Sequence, residues 1–206
     1  MIAAMESCPL SVIIVTWNGL RHLPQCLTAI APQLPPHAEL IVVDNGSSDG
    51  SAAWIRTNAP FVHLIDLPHN LGFAGGVNAG LQAAHGELLL LLNDDAFVEP
   101  GFVAALCDAM ANHPEAGAAG AVLTFAHKPD LVASAGIRMR RDGVALDLWA
   151  GLPVAELPAT PQPICGPSGG AAIYRRAVFD DIGLAATRVF RLPEDGVLAL
   201  RGLVRG

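Results

Sequence analysis

Lysine is nearly missing from this chain: Lys128 is the only one among 206 residues, and it stands between His127 and Pro129. A phosphate-cradling Gly-Lys-Ser/Thr loop is therefore excluded. Cationic charge is scarce in general, with 12 Lys plus Arg against 19 Asp plus Glu and a net charge of -7, so no surface is expected to track nucleic-acid phosphates. The four cysteines, at positions 8, 26, 107 and 165, form no CxxC pair; they read as reduced thiols of a cytoplasmic protein, not as a metal or disulfide framework. The seven histidines include no HExxH. Uncharged apolar runs stay well short of the roughly 18 residues of a membrane span, and Glu6 occupies the flank where a secretory signal needs a basic residue. A soluble chain, or one attached peripherally at the inner face of a membrane, is expected.

What the sequence does have is apolar mass, 52% against 15% charged residues, which excludes disorder, and a length suited to one domain. Leu10 to Val15 reads as a buried strand, followed by a helix over Arg21 to Ile30 that Pro32, Pro35 and Pro36 stop. The unit repeats with a strand at Leu40 to Val43, a helix at Ser51 to Asn58 and a short strand over Phe61 to Leu67. A loop from His69 to Gly76 leads to a helix at Val77 to Ala84. Then come five leucines, Leu88 to Leu92, a run that suits a strand covered on both faces. Pro100 heads a predicted helix over Gly101 to Ala111, and Ala116 to Phe125 reads as one small-residue strand. From Lys128 to Pro163 the periodicity fades into proline-broken turns; a strand at Ile173 to Arg176 and a helix from Ala177 follow. Strands alternating with helices predict an α/β fold with a doubly wound, mostly parallel sheet.

In such a sheet ligands bind beyond the carboxyl ends of the strands. Three of those ends are polar: Thr16-Trp17-Asn18, Asp44-Asn45-Gly46 and Asn93-Asp94-Asp95. Asp44 suits the edge of a nucleobase, with Gly46 leaving room for close approach, and equally suits a turn that caps the next helix. Trp17 is open to two readings, core or stacking platform. In Asn70-Leu71-Gly72-Phe73-Ala74-Gly75-Gly76-Val77-Asn78 the glycine spacing is not that of a dinucleotide fold, which leaves a nicotinamide-dependent oxidoreductase without its fingerprint. Its glycines serve either backbone amides facing a phosphate or ribose, or a close helix-to-sheet crossing. Adjacent carboxylates at Asp94 and Asp95 repel after a buried strand, and a divalent cation, Mg²⁺ or Mn²⁺, offsets them economically; the alternative is an acidic cap on the following helix. Ser168, in Gly166-Pro167-Ser168-Gly169-Gly170, lacks the pattern of a nucleophile elbow.

At these residues the chain resembles the family 2 glycosyltransferases of the GT-A fold, in particular their bacterial rhamnosyltransferase-like branch. Ser11 to Asn18, Ile41 to Gly50, Asn70 to Gly80 and Leu91 to Asp95 carry the resemblance in the family's order and spacing. It implies a single GT-A-like domain over residues 1–206, with a nucleotide-sugar-binding half at 10–125 and a shortened acceptor half at 126–206. It further implies a nucleotide-diphospho-sugar donor at Thr16, Trp17, Asn18, Asp44, Gly46, Asn70, Gly72, Gly76, Asn78, Asn93 and Asp94, with Asp95 holding the metal. The reaction implied is inverting transfer of a sugar, rhamnose in the favoured case, to a lipid-linked or polysaccharide acceptor.

The resemblance weakens after about residue 183. Relatives carry Phe-Asp-Glu and then Glu-Asp-x-Asp; here the chain reads Phe179-Asp180-Asp181 and Glu194-Asp195-Gly196-Val197. Asp195, Glu194 and Asp181 are the candidates for the catalytic base. A nucleotide-sugar-binding remnant without transfer is the competing expectation.

Overall fold

The computed structural model describes residues 9–184. Its centre is a six-stranded sheet in the order β3-β2-β1-β4-β10-β5. β1 (Leu10–Thr16), β2 (Glu39–Asp44), β3 (His63–Asp66), β4 (Leu88–Asn93) and β5 (Ala118–Gly120) all run one way. β6 (Leu123–Phe125), β7 (Lys128–Ser134), β8 (Ile137–Met139) and β9 (Ala145–Asp147) form two small antiparallel pairs outside that sheet. β10 (Ala171–Arg175) returns antiparallel between β4 and β5.

Alternation along the strands sorts the core into two layers. Val12, Ile14, Val42, Leu90 and Leu92 point to one face and meet α1 (Leu23–Ile30), α2 (Ser51–Asn58) and α4 (Phe102–Asn112). Ile13, Ile41, Val43, Leu89 and Leu91 point to the other and meet α3 (Gly72–Ala83) and α5 (Arg176–Ile182). β4 is buried on both faces, the reason it can consist of leucine. The expected doubly wound, mostly parallel α/β architecture is what the structure has.

Three predicted boundaries are corrected. α3 starts at Gly72, not Val77, so Gly75, Gly76 and Gly80 are helical, and a Cβ on Gly80 would lie 2.4 Å from Ile13 Cγ2. Lack of side chains there lets α3 lie directly on β1. α4 starts at Phe102, with Gly101 as a left-handed N-cap (φ 87°) and Pro100 outside. Ala116 to Phe125 is not one strand: the chain leaves the main sheet after Gly120, where a Cβ would meet Pro167 at 2.8 Å. The proline-broken region carries the short strands β7 to β9, in keeping with its faded periodicity.

Two consecutive arginines lock β10 in place. Arg175 donates to the carbonyls of Met110, His113 and Ala116 at the end of α4, and Arg176 to those of Ala84 and Gly86 just past α3. Cationic donors at helix carboxyl ends satisfy orphan carbonyls and oppose the helix dipole.

Leu90, fully buried at the centre of β4, is expected to cost about 2–5 kcal/mol on replacement by Ala in urea unfolding. Trp17→Ala, at a side chain 58% exposed, is expected to change stability by no more than about 0.5 kcal/mol.

Candidate functional site

Parallel pairing carries the three polar strand ends to one rim. Thr16 is opposite Asp44, and Val15 is opposite Asn93. Asp94 follows immediately, and the Thr16 hydroxyl donates to its Oδ2 at 2.6 Å. The rim therefore joins Thr16, Asp44 and Asp94 as adjacent groups.

The loops above this rim are stitched to one another. The Asn18 side-chain oxygen accepts from the Ser48 amide at 2.8 Å, and the Asn18 amide donates to Ser47 Oγ at 2.8 Å. Asn18 itself is left-handed (φ 54°). Asp49 accepts from the Leu20 amide and from both the amide and hydroxyl of Ser51; burial pushes its carboxyl up, and these donors outweigh that and hold it below the usual aspartate range. Asp49, not Asp44, thus bonds the first residue of α2, whose N-cap is the left-handed Gly50.

Asn45, almost fully buried, fastens the next loop. Its side-chain nitrogen donates to Asn70 Oδ1 and to the Gly72 carbonyl, and its oxygen accepts from the Leu71 amide. Asn70 Oδ1 also accepts from the Gly72 amide at 2.7 Å. Two amides at the start of α3 are thus committed to asparagine side chains. Gly46 (φ 75°) passes so close to this loop that a Cβ would lie 2.6 Å from His69 backbone atoms.

An open cavity of about 330 Å³ lies on this rim. Trp17, Asn70, Gly72, Asn93, Asp94 and Asp95 line it, together with Val15, Asn45 and Phe73. Thr16 and Asp44 are fully buried behind it. Asn18 and Gly46 belong to the loops that frame it, while Gly76 packs against Val15, where a Cβ would lie 2.6 Å from Val15 Cγ1. Asn78 is half-buried on α3. Trp17 is an exposed wall of the cavity and not core. Asp181 is exposed on α5, whose preceding strand ends beside Leu88 at the opposite rim; Glu194 and Asp195 lie outside the described residues.

Val15 and Gly19 were not legible as site residues, and Asn45 and Phe73 only as members of the Asp44–Gly46 and Asn70–Asn78 segments. Val15 looks like any strand valine, and Asn45 like a turn residue. Gly19 offers only its lack of a side chain, yet a Cβ there would fall 2.0 Å from Asp94 Oδ2.

The electrostatics of the rim are negative. Burial raises the Asp94 carboxyl above the ordinary aspartate value; the Thr16 hydrogen bond opposes this, the Asp95 charge adds to it, and His22 lowers it. Cys26, whose thiol lies 3.6 Å from the Asn93 carbonyl, is pushed up to about 12 by burial and by the charges of Asp94 and Asp95. Asp95 itself is exposed.

These shifts predict a pH dependence. A carboxyl raised in the fold stabilises it below the unfolded value and loses that contribution as pH rises through the folded value. Asp94→Asn is therefore expected to raise the melting temperature of the chelator-treated protein at pH 7. The gain should fade as pH falls toward the ordinary aspartate range near ~4. A gain that is independent of pH, or a loss at pH 7, would contradict the assignment.

Comparison with known proteins gives this site its context. The family model described as glycosyl transferase family 2 matches residues 11–183. The N-acetylglucosaminyl-diphospho-decaprenol L-rhamnosyltransferase of Mycobacterium tuberculosis is 28% identical over 90% of this chain and 67% of its own. Among solved structures, the mannosyltransferase PcManGT of Pyrobaculum calidifontis, in complex with GDP-Man and Mn²⁺, superposes with a TM-score of 0.67 at 20% identity, covering 93% of this chain and 50% of that one. S. aureus TarS in complex with UDP gives a TM-score of 0.66 at 20% identity, covering 93% and 54%. The chain spans about half the length of these two structures, and their likeness establishes the GT-A fold. With the family match extending from β1 through α5, the chain belongs to glycosyl transferase family 2.

Proposed function

We propose that the chain binds a nucleotide-diphospho-sugar and, as an inverting, cation-dependent transferase, moves the sugar to a lipid-linked or polysaccharide acceptor. The observation that carries this reading is Asp44. Its Oδ1 accepts from the Ser47 amide at 2.8 Å, while its buried Oδ2 has no hydrogen-bond partner among the described residues. A buried carboxylate oxygen left unpaired is costly. A nucleobase N–H or ribose hydroxyl entering beside Asn45 would satisfy it.

The remaining residues take roles from their chemistry. Trp17 and Phe73 offer apolar faces to the base and ribose, and the Asn45–Asn70 bonds hold that wall in place. Asp94 and Asp95 fit a hard divalent cation, Mg²⁺ or Mn²⁺, because burial and mutual repulsion leave Asp94 short of compensating positive charge. No group of three or more His, Cys, Asp or Glu side chains suited to a metal occurs among the described residues, so substrate phosphates and water would complete the coordination, as is usual for Mg²⁺. When bound, the cation neutralises charge gathering on the departing diphosphate.

An acceptor hydroxyl attacks the anomeric carbon from the face opposite the diphosphate, which inverts that carbon, and a carboxylate takes the hydroxyl proton. Asp195 and Glu194 are the candidates for that base, since Asp181 follows a strand that ends at the opposite rim and does not line the cavity. The M. tuberculosis relative is named for rhamnosyl transfer to a decaprenol-linked acceptor, which supports rhamnose and a membrane-borne acceptor here. No helix among the described residues is long and apolar enough to cross a membrane. Access to such an acceptor would therefore use a peripheral approach by this part of the chain, at the cytoplasmic face.

Asp95→Ala is expected to lower donor-dependent release of nucleoside diphosphate by at least about 100-fold, the scale of losing one preorganised electrostatic group. Equal turnover by the variant would refute the metal role. Mn²⁺-dependent donor binding by calorimetry, without any glycosylated product, would instead identify a binding module that does not transfer.

A further inference from the structure

β1 carries two buried hydroxyls in an otherwise apolar strand, and each holds a carboxylate. Ser11 bonds Glu39 at one rim, and Thr16 bonds Asp94 at the other. A buried hydroxyl disfavours folding unless it is bonded, so a valine at position 16 would serve the strand better if packing were the only demand. Thr16 is as buried as Asp44, but where Asp44 keeps an unpaired oxygen the Thr16 hydroxyl already donates to a protein carboxylate. That carboxylate oxygen is Asp94 Oδ2, at 2.6 Å.

Gly19 closes the same carboxylate from another direction. A Cβ on Gly19 would fall 2.0 Å from Asp94 Oδ2 and 2.3 Å from Thr16 Oγ1, so the backbone at Gly19 packs directly on the hydrogen-bonded pair. Any larger residue there must displace the carboxylate, the hydroxyl or the loop.

We infer that Thr16 and Gly19 are positioning residues that together clamp Asp94. Oδ2 is committed inside the protein, and Oδ1 is the oxygen left to face a ligand. The clamp reassigns Thr16 from a donor contact to a residue acting through Asp94. The identity of the ligand rests on the proposed function, whereas the clamp itself rests on the geometry of the ligand-free chain.

Three variants of the full chain test it: Thr16→Val, which removes the hydroxyl at constant volume; Thr16→Ser, which keeps it; and Gly19→Ala, which keeps it but crowds Asp94. In ligand-free protein, NMR couplings of the Asp94 β-protons report one side-chain rotamer if the clamp holds. The wild type and Thr16→Ser are expected to show one rotamer, Thr16→Val an averaged one, and Gly19→Ala a changed one. Binding of Mn²⁺ with UDP, GDP or dTDP, whichever the wild type takes, is expected to weaken about 10–100-fold in Thr16→Val and to recover in Thr16→Ser.

An Asp94 rotamer in Thr16→Val identical to that of the wild type overturns the clamp. Should Thr16→Val fail to fold, Gly19→Ala decides alone: an unchanged Asp94 overturns the inference, and a displaced one upholds it. A released Asp94 in a protein that binds none of the three diphosphates upholds the clamp and refutes the proposed function.

Discussion

The site depends on one constraint, the register of β4 between β1 and β10. Because Val15 pairs with Asn93 and Thr16 with Asp44, a strand of leucines sealed on both faces delivers Asp94 and Asp95 to the rim where β1 and β2 also end. A slip by one residue would exchange leucine for leucine in the middle of β4 but would carry Glu87 or Asn93 into a buried end position, where burying an unpaired polar side chain is disfavoured. Burial that would be wasted on a structural strand here fixes a pair of carboxylates. The cost is visible in Asp94, raised by burial and by its neighbour, and it is the kind of local strain that functional sites retain.

Around that strand the chain uses polar side chains as fasteners in place of regular caps. Asn45 sews the β2 end to the start of α3, Asn18 joins the first loop to Ser47 and Ser48, and Asp49 joins it to α2. Arg175 and Arg176 do the same at the far rim, anchoring the antiparallel strand to the carboxyl ends of two helices. Each fastener is a side chain bonded to backbone groups that would otherwise be left unpaired, and each fixes one loop relative to the cavity.

The sequence was informative where burial imposed a pattern. The Leu88 to Leu92 run and the β-branched Leu10 to Val15 segment predicted their strands within a residue, and the polar groups that end them predicted the rim. Legibility failed where a contact between distant segments decided the outcome. Nothing near Thr16 announces Asp94, 78 residues away, and the start of α3 at Gly72 is set by asparagine bonds that periodicity does not register. The same holds for Gly120, whose approach to Pro167 ends one strand and begins another sheet. A tryptophan at the end of a buried strand reads more readily as core than as a stacking platform, and only the geometry of the loop placed Trp17 at the surface.

The central claim is that the carboxyl rim, with Asp44 on one strand and the Asp94–Asp95 pair on another, is a single site for a cation-bound nucleoside diphosphate. Paramagnetic broadening of amide resonances by Mn²⁺, recorded with and without UDP, GDP or dTDP, tests it most directly. The account predicts that the diphosphate it accepts sharpens the effect onto Trp17, Asn45, Asn93 and Asp95, leaving Glu39 and His85 at the far rim unaffected. Broadening centred on the far rim, or on no defined region with any of the three diphosphates, would contradict it.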